Sequence, residues 1–223
     1  HIDDFVESVK MLTPSGWWES RRLPGSGAGP SPDRLVIGSE GILGIITEAW
    51  MRIQVRPRFR AAGGIVFSSW EEGCEAARHI AQAKLWPANL RLLDPELASF
   101  SIGMNGRDAV LIIGFESSDI PQVEQMNQAV KIARDSGGRI NNEDIAITDA
   151  VKGKQGKRGI VNAWRNAFIN VGGGLTAGLG LVTGTFETAV TWDRWAEFDA
   201  IVRDETIKAI REICGGGTLN CRF

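Results

Sequence analysis

The chain of 223 residues has no tyrosine, two histidines and three cysteines. Each shortage removes a chemistry. No phenol is present to act as an acid or base, and His1 and His79 are too few for a multi-histidine metal cluster, so no metal is expected. Cys74, Cys214 and Cys221 are far apart and form no C-x-x-C pair. That spacing argues against a disulfide framework or a structural zinc site and suits a reducing compartment. A net charge of -2 supplies no global basic field, so a nucleic-acid partner is not expected. No charged-then-apolar leader opens the chain, hence no signal peptide is expected. An opening on His1 without methionine is what a processed chain or an excised internal fragment would show.

What the sequence does contain is alternating secondary-structure signals. Residues 5–12 alternate like a strand, "TPSG" is a turn and "WWESRRL" a returning strand, which predicts a hairpin. "PGSGAGPSPD" (24–33) reads as a loop, because its prolines remove donors and its glycines are unconstrained. "TEAWMRIQVRP" alternates Ala49, Met51, Ile53 and Val55 and predicts a strand that ends before Pro57, with a domain boundary near 57–62. Beyond it, "AGGIVFSS", "ANLRLLD", "DAVLIIGFES" and "TGTFETAV" read as strands and "TLNCRF" as the start of another. Helices are predicted after Ser69 as N-cap, before Gly137 and Gly138, in pieces over 142–170, and after Asp193 as N-cap up to Gly215. The last helix carries the stripe Trp195, Phe198, Val202, Ala209, Ile210 and Ile213. Strands and helices in this order predict sheet-plus-helix layers of ferredoxin-like α+β type.

Four stretches are candidates for chemistry. "GSEGILG" (38–44) is glycine-rich, yet no G-K-[ST] follows it, and a Rossmann fingerprint would need glycine where Glu40 stands. Spacing alone leaves it a turn or a ligand loop. Arg91 lies on the opposite strand face from Leu90 and Leu92, as a snorkelling or ion-paired arginine at a sheet margin would. Arg194 falls in the first turn of the long helix, where a cation opposes the helix dipole unless a phosphate or carboxylate binds beside it. The uncharged run from Asn166 to Phe186 has too many glycines for a membrane span; a loop over a ligand channel and an ordinary disordered loop both remain open. "KGKQGKRG" (152–159) reads as a mobile basic loop, with weak attraction to lipid or phosphate as the alternative.

"PSPDRLVIGSEGILGIITEAWMRIQVRP" resembles the flavin-binding signature of FAD-linked oxidases of the vanillyl-alcohol-oxidase (PCMH) type, whose usual run is G-S-E-G-T-L-G. "HIDDFVESVKMLTP", "LRLLD" and "FETAVTWDRW" resemble the alkyldihydroxyacetonephosphate (alkylglycerone-phosphate) synthase branch of those enzymes. The resemblance implies residues 1–58 as the C-terminal remnant of a PCMH-type FAD-binding domain. It implies residues 59–223 as a ferredoxin-like α+β substrate (cap) domain, incomplete at its C-terminal end. It implies FAD as cofactor, met largely by the main chain of Gly38, Ser39, Glu40, Gly41, Ile42, Leu43 and Gly44, with Ile42 standing where the family has threonine. Arg91 is implied to lie near the substrate and Arg194 to bind it.

The reaction implied exchanges the acyl group of acyl-dihydroxyacetone phosphate for a fatty alcohol through a flavin N5 adduct. The family's catalytic tyrosine and histidine cluster are expected beyond Phe223. This chain alone is therefore expected to be inactive and to hold FAD weakly or not at all. A small lipid-phosphate substrate is the expected partner, and the resemblance is compatible with a homodimeric, peripherally membrane-associated parent in the cytoplasm. A FAD-linked oxidoreductase of a 2-hydroxy acid such as D-lactate or glycolate, and a non-catalytic module on the same fold, are the rival readings.

Overall fold

The computed structural model describes residues 2–23, 28–155, 159–169, 178 and 180–223. The chain forms two compact units, His1–Arg56 and Pro57–Phe223.

In the first unit β1 (Val6–Thr13) and β2 (Gly16–Glu19) form the expected hairpin, followed by a short helix α1 (Pro32–Val36) and a strand β3 (Ile45–Met51). The sheet order is β2-β1-β3, all antiparallel. Val9, Met11 and Val36 make a small core with Val6, Trp18 and Ile37 against it. Helix α1 corrects the expected loop over 24–33. Ser31 accepts a hydrogen bond from Arg34 N, and Pro32 occupies the first turn, where its missing N–H costs nothing. Residues 24–27 lie outside the described residues. Strand β3 is shorter than expected: it stops at Met51, and the alternation of Ile53 and Val55 continues without a strand partner among the described residues.

The second unit runs β4 (Phe59–Phe67), α2 (Trp70–Gln82), β5 (Asn89–Leu93), α3 (Pro95–Ile102), β6 (Ala109–Ser117), α4 (Val123–Asp135), β7 (Ala146–Asp149), β8 (Gly153–Gln155), α5 (Gly159–Ile169) and α6 (Trp195–Cys214). The sheet order is β5-β6-β4-β7-β8, with every neighbouring pair antiparallel. Strands β4, β5, β6 and β7 with helices α2 and α4 therefore make the split βαβ arrangement expected of a ferredoxin-like fold. Leu111, Ile113 and Phe115 of β6 join Ile65, Phe67, Ile80 and Met126 in the core under α2 and α4. The alternate residues Val110 and Ile112 join Leu93, Ala98 and Trp164 on the face covered by α3 and α5. Covered on both faces, β6 reads in sequence as one continuous apolar run.

Ser69 caps α2 by accepting from Glu72 N, and Gly137, at φ 91°, follows the end of α4, both as expected. Three readings are corrected. Part of 142–170 is the β7–β8 hairpin, two short strands of which β7 pairs with β4 and β8 with β7. "TGTFETAV" pairs with nothing among the described residues, and without a ladder its alternation makes no strand; Phe186 is exposed. Helix α6 begins after a 3₁₀ turn, Trp192–Arg194, so Arg194 rather than Asp193 takes the cap position, and none of the helix's stripe is fully buried. The expected apolar loop of 166–186 and the basic loop of 152–159 fall partly on residues 170–177, 179 and 156–158, outside the described residues. No helix among the described residues is long and apolar enough to cross a membrane.

The β7–β8 hairpin carries a pH-dependent anchor. Arg58 donates to both carboxylate oxygens of Asp149, at 3.0 and 3.2 Å, and Val151 N donates to Oδ1 at 2.9 Å. The Arg58 hydrogen bonds first, and then the Val151 amide, pull the Asp149 pKa down to about 2. Its folded value lies below the unfolded one of about 3.9, so the stabilisation is complete above that value and fades as pH falls towards 2. The stability difference between wild type and Asp149→Asn should therefore shrink between pH 5 and pH 2. A difference constant over that range in urea titrations would contradict the assignment.

Candidate functional site

The loop of residues 38–44 is built from backbone conformation. Gly38, Gly41 and Gly44 have φ of 84°, 88° and 154°, and Glu40 joins them at 49°. Within the loop, Ser39 N donates to Val36 O and Ile42 N to Ser39 O. The amides of Glu40, Gly41 and Leu43 donate to no group among the described residues. Ile42 is 84% exposed, so its side chain contributes little to the loop's own packing. Gly44 is different: a Cβ there would meet Leu12 O at 2.4 Å. It is required by the approach of the loop to β1, whereas Gly38 and Gly41 face open space.

The second candidate region is the β5 edge of the second unit. Arg91 pairs in register with Ile112, which puts its side chain on the α3/α5 face. Its guanidinium lies 5.9 Å from the Trp164 ring and 5.8 Å from Phe168, two rings one helical turn apart on α5. Among the described residues it has no carboxylate partner. Burial, and then repulsion from Arg222, pull its pKa below the ordinary arginine value.

Arg222 comes to this edge through backbone pairing. Leu92 and Phe223 exchange two hydrogen bonds, N to O at 3.0 Å and 2.8 Å, and Leu93 bridges to Arg222 antiparallel. The expected strand at "TLNCRF" thus exists as a short extension of the sheet past β5. Phe223 then meets Trp195 edge-on at 4.8 Å between ring centres and Trp192 at a tilt at 5.1 Å. These contacts fix the 3₁₀ turn carrying Arg194 to the same edge. Arg194 itself is exposed and unpaired among the described residues. The structure therefore places the expected Arg91 and Arg194 near the β5 edge but on opposite faces of the sheet: Arg91 lies on the α3/α5 face with Arg222, and the turn carrying Arg194 lies with Phe223 and Leu92 on the α2/α4 face.

A buried polar network holds that edge in place. Asp94, 2% exposed, caps α3 through Leu97 N at 2.9 Å, accepts from Arg203 Nη1 at 3.0 Å and from Cys221 N at 2.7 Å. Arg203 also donates to Asp199, which accepts from Trp70 Nε1 at 3.0 Å. Burial opposes the Arg203 charge, but the Asp94 hydrogen bond and the two carboxylates outweigh it and raise its pKa. Cys74, on α2, is an inert thiol: burial pushes its pKa to about 12.

Residues 56–217 match the family of FAD linked oxidases, C-terminal domain. The chain belongs to that family. Curated relatives include the alkyldihydroxyacetonephosphate synthases of Dictyostelium discoideum, 35% identical over 45% of this chain and 16% of the relative, and of Caenorhabditis elegans, 32% identical over 42% and 16%. The mitochondrial D-lactate dehydrogenase [cytochrome] of Kluyveromyces lactis is 35% identical over 34% of this chain and 13% of its own length. The matched stretches thus span a small part of these relatives. A solved structure of alkyldihydroxyacetonephosphate synthase superposes on 94% of this chain and 42% of its own, with a TM-score of 0.62 at 21% identity, which shows the shared fold.

The family uses FAD, and the loop of 38–44 suits part of such a cofactor. Its unpaired amides can donate to neutral acceptor atoms, and its glycines let a ligand approach the backbone. It carries no cation, and the Glu40 carboxylate would repel a pyrophosphate. The fit is to the uncharged portions of FAD.

Sequence reasoning did not single out Arg222, Trp164, Phe168, Asp94 or Arg203. Trp164 and Phe168 were detectable as an i, i+4 aromatic pair. The role of Arg222 depends on a bridge to a strand distant in sequence.

Proposed function

We propose that this chain supplies the substrate-side part of an FAD-dependent enzyme that exchanges the acyl group of acyl-dihydroxyacetone phosphate for a fatty alcohol. The observation that carries this reading is that Arg91 and Arg194, both near the β5 edge, each have no described carboxylate to neutralise them. Each cation is free to take an oxyanion, and guanidinium forks suit phosphate oxygens. In this reading Arg194 anchors the phosphate. Arg91, held against Trp164 and Phe168, orients the polar end of the substrate, and the two rings keep water from that side. FAD, met by the main chain of Gly38–Gly44, supplies the electrophilic ring system that these side chains lack. No proton-transfer group is assigned within these residues, so the 223 residues by themselves are proposed to be inactive and to retain FAD weakly.

A second reading, oxidation of a 2-hydroxy acid, is favoured by the D-lactate dehydrogenase relatives. A monocarboxylate needs one arginine, so this reading leaves Arg194 without a task. The test is Arg194→Gln in the enzyme that contains this segment. The lost charged hydrogen bond should lower kcat/KM for acyl-dihydroxyacetone phosphate about 10- to 100-fold. Unchanged kinetics would remove Arg194 from the site.

A further inference from the structure

We propose that Arg222 and Arg91 form a two-guanidinium site for a phosphate oxyanion at the β5 edge, backed by the Trp164 and Phe168 rings. The proposal rests on the reading of Arg91 given above, gives Arg91 a second cation, and is a contact separate from the one assigned to Arg194.

Pairing geometry places both side chains together. Leu93 bridges to Arg222, and bridged residues share a face of the sheet. Arg91, two residues before Leu93, points the same way, so the two arginines are diagonal neighbours across the added strand. Both lie on the α3/α5 face, where Trp164 and Phe168 stand over Arg91 at 5.9 and 5.8 Å. Ring contacts satisfy the flat faces of a guanidinium and leave its in-plane N–H donors free. No described residue accepts from the side-chain donors of Arg91 or Arg222. The nearest carboxylate in sequence, Asp94, is fully engaged by Leu97 N, Cys221 N and Arg203.

Two like charges side by side without a counter-ion repel each other, and the lowered pKa of Arg91 reflects burial first and that repulsion second. An oxyanion between the two forks turns the repulsion into a pair of charge-assisted bonds. A dianion gains from both cations, so a phosphate monoester or inorganic phosphate should bind in preference to a carboxylate. The backbone exchange between Leu92 and Phe223 fixes the main-chain spacing of the two arginines before any ligand arrives.

The experiment is calorimetric titration of the full chain with inorganic phosphate, methyl phosphate and acetate at low ionic strength. Variants are Arg222→Gln, Arg222→Lys, Arg91→Gln and Arg107→Gln. Arg107 is an exposed arginine elsewhere on the unit whose side chain meets no described partner. Expected is phosphate binding in the wild type, about 10-fold weaker in Arg222→Gln, partly restored in Arg222→Lys and unchanged in Arg107→Gln. Methyl phosphate binding as tightly as phosphate assigns the site to a monoester, and phosphate alone assigns it to the free ion; either agrees with the proposal. Acetate binding equally well overturns the two-cation site. So does wild-type affinity in Arg222→Gln, or no phosphate binding by the wild type. If Arg91→Gln weakens binding while Arg222→Gln does not, the second cation is refuted and the functional reading of Arg91 survives. Circular dichroism confirms that each variant is folded; Arg222 is exposed, so its replacement keeps the test available even if Arg91→Gln unfolds.

Discussion

Asp94→Ala should destabilise the Pro57–Phe223 unit by about 3–5 kcal/mol, the cost of removing one partner from a buried ion pair. Three partners lose their acceptor at once. The first turn of α3 loses its cap, in itself worth about 1 kcal/mol. Cys221 N and Arg203 Nη1 are left facing a cavity. Arg203 Nη2 already lacks a partner among the described residues, so the guanidinium has little with which to compensate beyond Asp199. Asp94→Asn keeps an oxygen for the cap and one amide but loses the charge, and should fall between wild type and Ala. Because Asp94 also fastens the segment bearing Arg222, the Ala variant should expose Cys221 to alkylation below the global unfolding transition. Denaturant midpoints and thiol labelling check both statements; a loss under about 1 kcal/mol would mean that the network contributes no more than a surface pair.

Gly44→Ala should cost about 2–5 kcal/mol of the stability of the His1–Arg56 unit, combining overpacking with an unfavourable backbone conformation. At φ 154° the new Cβ would sit 2.4 Å from Leu12 O, a backbone atom that cannot turn aside. Relief requires the loop and β1 to separate, which breaks the Leu12–Ile45 end of the β1–β3 ladder. Gly41→Ala meets open space and carries only the positive-φ penalty of about 1 kcal/mol. The contrast separates two reasons for glycine in one motif: Gly44 serves the fold, while Gly38 and Gly41 shape an exposed stretch of backbone. Equal destabilisation by the two alanines in thermal melts would refute that division.

Much of the second unit was legible because local and tertiary signals agree. Ser69 and Gly137 mark helix ends by their own chemistry, and the apolar run of β6 follows from coverage on both faces. The misread elements are those whose structure is decided elsewhere. "AITD" and "GKQ" are too short to announce β7 and β8; β7 exists because β4 offers an edge, and β8 because β7 then offers the next. "TGTFETAV" has the right alternation and no partner. Asp193 is a good cap residue, but the Trp192–Arg194 turn, packed on Phe223, moves the helix start past it. The same division holds for the site. Arg91 could be read from its place opposite Leu90 and Leu92. Arg222 and Arg203 acquire meaning only through Leu93 and Asp94, residues that the fold brings to them.

The most direct measurement is a two-substrate assay of the purified enzyme that contains this segment. It should convert acyl-dihydroxyacetone phosphate and a labelled fatty alcohol to the alkyl product with release of free fatty acid, and should not reduce an electron acceptor at the expense of D-lactate. D-lactate-dependent reduction without alkyl exchange would contradict the assignment and leave the 2-hydroxy-acid reading in its place.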